Sequence, residues 1–192
     1  REGHRGVQAD DGLGFTAASE MFHQLMSEVL GHARYGVYGS DWGAFVAEQL
    51  AHTRPEAVIG LHTTMPFPLD FVPVSPDLWA PEEASRQEVS AAWWQFGLAY
   101  FQMHVSKPQT VAYQADSPAA LGAWIVEKLH GWSDHGGNVE DAYPRDRILT
   151  TLSLYWFTNT FGSSARFYAE SVRRPWAPSH DGTPVVGVPT AI

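Results

Sequence analysis

The spacing of hydrophobic positions changes character three times along this chain. From Thr16 onward, Phe22, Leu25, Met26, Val29 and Leu30 recur at helical spacing and predict a helix with one apolar stripe, which Gly31 ends. Arg1–Gly14, before it, is polar and glycine-rich with no period and reads as loop. Tyr35–Tyr38 then predicts a strand. A second helix is expected from just after Gly39 to about Thr53. Its Ala44, Ala47 and Ala51 form a small-residue face suited to close packing on a sheet, and Pro55 prevents its continuation. Ala57–His62 is a short apolar run between turn residues, the signature of a buried parallel strand. Strand, helix, strand in this order predicts a βαβ unit.

The period changes again after Met65. Pro66, Pro68, Pro73, Pro76 and Pro81 punctuate an aperiodic stretch, and helices then follow without strands. One is predicted from Pro81 through Trp93, Trp94 and Tyr100 to about Val105. Another starts at Ser117-Pro118 with Leu121, Trp124, Ile125 and Leu129 on one face. A third follows Pro144 through Ile148, Leu149, Leu152, Tyr155 and Trp156, and a short fourth covers Ser163–Val172. Trp132–Asp141 is a polar loop, and Thr183–Ile192 reads as a linker entering a new strand. The expected organisation is an α/β core over residues 1–66, a helical lid over 67–175, and a return linker with the start of a core strand over 176–192.

Composition narrows the function classes. Hydrophobic residues make up 44% and charged residues 17%, which excludes a disordered chain. A formal net charge of −9 without any run of Lys or Arg argues against nucleic acid and anionic membrane surfaces as partners. With no Cys, there is no disulfide framework and no thiolate metal site, in keeping with a reducing compartment such as the cytoplasm. No apolar run has transmembrane length and no signal peptide is visible. Eight Trp, ten Phe and seven Tyr favour a large apolar cavity or interface, although an aromatic core accounts for them equally well.

The chemistry centres on Tyr35–Ala44, YGVYGSDWGA. An apolar strand stops at Gly39, a polar residue follows two positions on, and a helix begins at once. That layout is a nucleophile elbow. Gly39 and Gly43 flank the turn, where a side chain is expected to clash. The central residue is Asp41, a carboxylate at a helix start, where backbone N–H groups stabilise negative charge. A carboxylate nucleophile suits attack on a saturated carbon, giving an ester that water then cleaves. The same ten residues also fit a strand, a turn and an N-capping Asp.

Beyond the elbow, Gly60–Pro66 (GLHTTMP), Ser106–Tyr113 (SKPQTVAY), Asp116–Asp134 (DSPAALGAWIVEKLHGWSD), Pro144–Leu149 (PRDRIL) and Leu154–Glu170 (LYWFTNTFGSSARFYAE) stand in a fixed order. Together they resemble epoxide hydrolases of the α/β-hydrolase superfamily, of the microsomal and juvenile-hormone type. The resemblance implies a partial α/β-hydrolase fold with an inserted all-helical cap. It implies that Asp41 is the nucleophile that opens an epoxide through an alkyl-enzyme ester. It implies that Tyr100, seven residues before Lys107-Pro108, and Tyr168, in Arg166-Phe167-Tyr168, donate hydrogen bonds to the epoxide oxygen. The backbone N–H of Trp42 would be one donor to the oxyanion formed as the ester is cleaved. The implied substrate is a small apolar epoxide and the product a vicinal diol, with no cofactor or metal needed.

The family's upstream oxyanion segment and its downstream acid and general-base His have no counterpart here, so the sequence reads as the middle of such a hydrolase. Two other readings stay open. A haloalkane dehalogenase also carries Asp followed by Trp at its elbow. A catalytically incomplete remnant acting in binding or assembly is the other; an incomplete sheet would expose strand edges that invite a homo-oligomer. His62, His130, His135 and His180 show no metal-like spacing, and Asp134-His135 reads as a solvated loop pair.

Overall fold

The computed structural model describes residues 12–192. Most of the loop expected at Arg1–Gly14 lies outside the described residues. The chain divides into two compact units, one running to Leu98 and resuming over Glu170–Ile192, the other covering Ala99–Ala169.

The first unit is built on a parallel sheet. Strand β1 (Tyr35–Gly39) is followed by helix α2 (Trp42–Thr53), and β2 (Val58–Thr63) pairs parallel to β1 with Val37 opposite Leu61 and Gly39 opposite Thr63. A short β3 (Thr190–Ala191) pairs parallel to β2, giving the order β1-β2-β3. The predicted βαβ unit and the returning strand are therefore both formed. Ala44, Ala47 and Ala51 of α2 are buried, and Ala47, Leu50 and Ala51 pack with Tyr35, Ala57, Val58 and Leu61 in one core. Small side chains let the helix backbone lie close to the sheet, which removes more apolar surface from water per residue.

Helix α1 (Phe15–Gln24) precedes the sheet and widens into a π-helical turn over Leu25–Val29 before Gly31, at φ +74°, ends it. The expected stripe is displaced. Phe22, Leu25, Val29 and Leu30 are exposed, and the buried side chains are Phe15 and Ser19, with Met26 packed against the core. The helix is rotated so that Phe15 reaches the Phe45 ring, with centroids 5.7 Å apart.

Prolines 76 and 81 start short 3-10 turns, and the helix expected from Pro81 to Val105 is interrupted. It forms α3 (Ala84–Ala92), a π-helical turn over Trp93–Gly97, and α4 (Ala99–Ser106). The cause lies at Gly97, where a Cβ would stand 2.4 Å from the Trp93 ring; the indole occupies that space. The break at Leu98 is also where the first unit gives way to the second.

The second unit is all-helical. After α4 come α5 (Pro108–Ala112), α6 (Pro118–Gly131), α7 (Arg145–Thr158) and α8 (Phe161–Val172), the last continuing into the first unit. Its core is Val111, Leu121, Phe161 and Ala165, with Trp124, Ile125, Tyr155 and Trp156 packed around them. The Ser117 hydroxyl caps α6 by accepting from the Ala120 N–H, and Pro118 occupies the first helical position. Helix α5 lies in a stretch without a hydrophobic period.

The return segment is fastened to α2 by His52, buried at 1% exposure. Its Nε2 accepts from the Ser179 backbone N–H at 2.8 Å, so the ring proton sits on Nδ1 and is donated to the Val185 carbonyl at 2.9 Å. The Trp176 indole N–H adds a bond to Gln49 at 2.7 Å.

Candidate active site

Strand β1 ends at Gly39 and α2 begins at Trp42, leaving two residues to reverse the chain. Asp41 takes φ 51° and ψ −133°, a region that residues with a side chain rarely enter. Such a backbone costs about 1–3 kcal/mol and persists only where surrounding structure enforces it. Here the Gly43 N–H bonds the Ser40 carbonyl and the Ala44 N–H bonds the Asp41 carbonyl, both at 2.9 Å, while the N–H of Thr64, the residue after β2, bonds the Gly39 carbonyl. The turn also requires contact at Gly39, where a Cβ would lie 2.1 Å from the Gly43 carbonyl oxygen. Gly43 itself differs from expectation: a Cβ there meets nothing within 4 Å, because it stands on the open side of the first helical turn.

The Asp41 side chain is exposed and its Oδ1 accepts from the Trp42 N–H at 2.6 Å. The carboxylate thus sits at the positive end of the α2 dipole with its charge held by a backbone donor. Beside it stands an aromatic wall. The Trp42 ring lies 5.1 Å from Phe45 and 5.9 Å from Phe71, Phe45 and Phe71 stack at 4.8 Å, and Phe67 joins Phe45 to Trp94. An apolar surface next to an anion lowers the local dielectric and favours apolar ligands.

Tyr100 and Tyr168 belong to the other unit, on α4 and α8. The structure brings these two phenol-bearing residues together, with ring centroids 6.2 Å apart at 83°. Tyr100 also contacts Trp132, and Tyr168 contacts Phe101. His104 joins them: its ring lies 4.1 Å from Tyr168 and 6.1 Å from Tyr100. Burial holds its pKa below the usual imidazole value, aided by the Lys128 ammonium and opposed by a hydrogen bond to the Ala165 carbonyl.

One further titratable group lies under the elbow helix. Glu48 of α2 is buried at 9% exposure, which pushes its carboxyl up to about 7, with the Thr63 hydroxyl opposing only in part. Sequence reasoning passed over both Glu48 and His104. The only signal was a charged residue on the sheet-facing side of α2, and a His one turn after Tyr100. His62 is exposed beside Tyr38, and His135 bonds the His130 carbonyl at the end of α6. Among the described residues, no group of three His, Asp or Glu is placed to hold a metal ion.

A parallel sheet whose first strand turns sharply through a strained acid into a helix, followed by an inserted all-helical unit, defines an α/β-hydrolase fold. Comparison with known proteins agrees. The chain is 40% identical over 163 residues to a Stigmatella aurantiaca protein named as an epoxide hydrolase, covering 83% of this chain and 36% of that protein. It is 33% identical over 181 residues to the juvenile hormone epoxide hydrolase of Bombyx mori, covering 83% of this chain and 39% of that one. The crystal structure of juvenile hormone epoxide hydrolase from the silkworm superposes with a TM-score of 0.73 at 28% identity, over 95% of this chain and 47% of the other. Aspergillus niger epoxide hydrolase gives 0.67 at 28% identity, over 88% and 42%. No family model matches. The chain belongs to the epoxide hydrolase family, and it spans less than two-fifths of the length of these two curated relatives.

Proposed function

We propose that this chain carries the ring-opening machinery for an apolar epoxide, with Asp41 as nucleophile and Tyr100 and Tyr168 as the acids. An Asp41 carboxylate oxygen forms a bond to one epoxide carbon as that carbon's bond to the ring oxygen breaks. The departing alkoxide takes a phenol proton, because an unprotonated alkoxide is a poor leaving group. Water then cleaves the ester and releases a vicinal diol, with the Trp42 N–H stabilising the oxyanion formed on the way. The observation that carries this reading is the positive-φ Asp41 with its carboxylate on the Trp42 N–H. The T-shaped Tyr100–Tyr168 pair supports the acid role, and the aromatic wall of Trp42, Phe45 and Phe71 supports an apolar, aryl-bearing substrate.

In this reading residues 1–66 and 176–192 are the hydrolase core and 67–175 its lid. The test is rapid quench of the protein with styrene oxide, followed by peptide mass spectrometry. The expected result is one epoxide mass added at Asp41, absent in Asp41→Asn. Tyr100→Phe and Tyr168→Phe should each slow its appearance on the order of a hundredfold. No adduct on the wild-type carboxylate, or halide release from a haloalkane without epoxide opening, would refute the reading.

A further inference from the structure

We propose that His104 is a positioning residue, an imidazole wedge between α4 and α8 that holds the Tyr100 and Tyr168 hydroxyls as a working pair. The inference rests on the assignment of those phenols as the acids. His104 follows Tyr100 by four residues, so the two share a face of α4. Across the interface, Ala165 and Tyr168 are three apart on α8 and likewise share a face. The imidazole touches all three. It lies over Tyr168 at 4.1 Å and 30°, meets Tyr100 edge-on at 6.1 Å and 81°, and has a backbone interaction with Ala165 that favours its protonated form. With the phenol rings 6.2 Å from each other, the three rings close a triangle. Moving the imidazole moves both phenols.

Two observations separate this from ordinary core filling. His104 is 4% exposed, yet its Nδ1 has no hydrogen-bond partner among the described residues. A buried unpaired nitrogen is destabilising, a cost that an apolar side chain of similar size would avoid. Burial, and after it the Lys128 ammonium, disfavour the protonated ring: Trp124 lies 5.6 Å away, and the ammonium sits 3.8 Å from the Trp124 centroid and 5.7 Å from that of Tyr100. A positive imidazolium would be repelled there. Packed against both phenols, the ring fixes the face presented to each.

The test is single-turnover alkylation by styrene oxide in the intact protein, measured as maximal rate and half-saturating concentration. Displacement of a reacting group by about 1 Å can lower rates on the order of a hundredfold. His104→Ala is therefore expected to reduce the maximal alkylation rate at least tenfold, with little change in half-saturation. His104→Phe, which keeps the stacked ring but loses the Ala165 anchor, should show most of that loss. His104→Gln, which restores an amide donor, should recover part of it. In a background carrying both Tyr100→Phe and Tyr168→Phe, His104→Ala should add less than about twofold, since the groups it positions are gone. His104→Ala and His104→Phe that alkylate at the wild-type rate, or losses that multiply fully in that triple variant, would overturn the inference. Absence of any wild-type ester would instead defeat the underlying assignment of Asp41.

Discussion

At the scale of single residues, the elbow rests on two positions that look alike in sequence and differ in space. Gly39 faces the Gly43 carbonyl at a distance no Cβ tolerates, whereas Gly43 faces open space. Gly39→Ala is therefore expected to lower stability by several kcal/mol or to displace the turn, and with it Asp41. Gly43→Ala should leave stability within about 1 kcal/mol of wild type, helped by the better helix propensity of Ala. Thermal unfolding of the two variants side by side checks the contrast. Sequence suggested equal clashes at both ends of the turn because glycine spacing marks a tight bend without saying which flank is crowded. Asp41, by contrast, was legible: a strand, a polar residue at the right offset and an immediate helix leave it little other geometry.

At the scale of elements, His52 determines whether the return segment stays on α2. It receives the Ser179 N–H and gives its own proton to Val185, and both partners lie far along the chain. His52→Phe keeps the ring but orphans both backbone groups, and is expected to cost about 2–3 kcal/mol. Amide exchange should quicken at Ser179 and at Leu61, whose N–H bonds the Pro189 carbonyl, while α6 and α7 remain protected. Capping gives a second contrast. Ser117→Ala removes the acceptor at the start of α6 and should cost about 1 kcal/mol. The α6 start was readable from Ser-Pro because capping is local. The break between α3 and α4 was not, because it depends on where the Trp93 ring lies against Gly97.

At the scale of the whole molecule, two buried titratable groups give the two units opposite responses to pH. Glu48 has its folded pKa raised to about 7 from an ordinary 4.5. Between those values the unfolded chain loses the proton and the folded chain keeps it, so stability falls as pH rises through that window. The effect reaches at most about 3 kcal/mol above pH 7. Glu48→Gln should raise Tm at pH 8 and leave it nearly unchanged at pH 4. His104 has its folded pKa lowered. Its protonation favours the unfolded chain once pH drops below the ordinary imidazole value of 6.5, so the helical unit should lose stability on the acid side. Hydrogen exchange followed unit by unit from pH 5 to 8 would separate the two slopes. Among the described residues, no helix is long and apolar enough to cross a membrane.

By itself the sequence determined the βαβ core, the acid at its turn, the run of helices and the family, because each is written in short-range spacing or in motifs read in order. The tertiary structure alone decided which face of α1 is buried, which glycine the elbow needs, that Glu48 sits in the core, and that His104 lies between two tyrosines. Those depend on what a residue meets across the fold, and periodicity along one element carries no record of its partner.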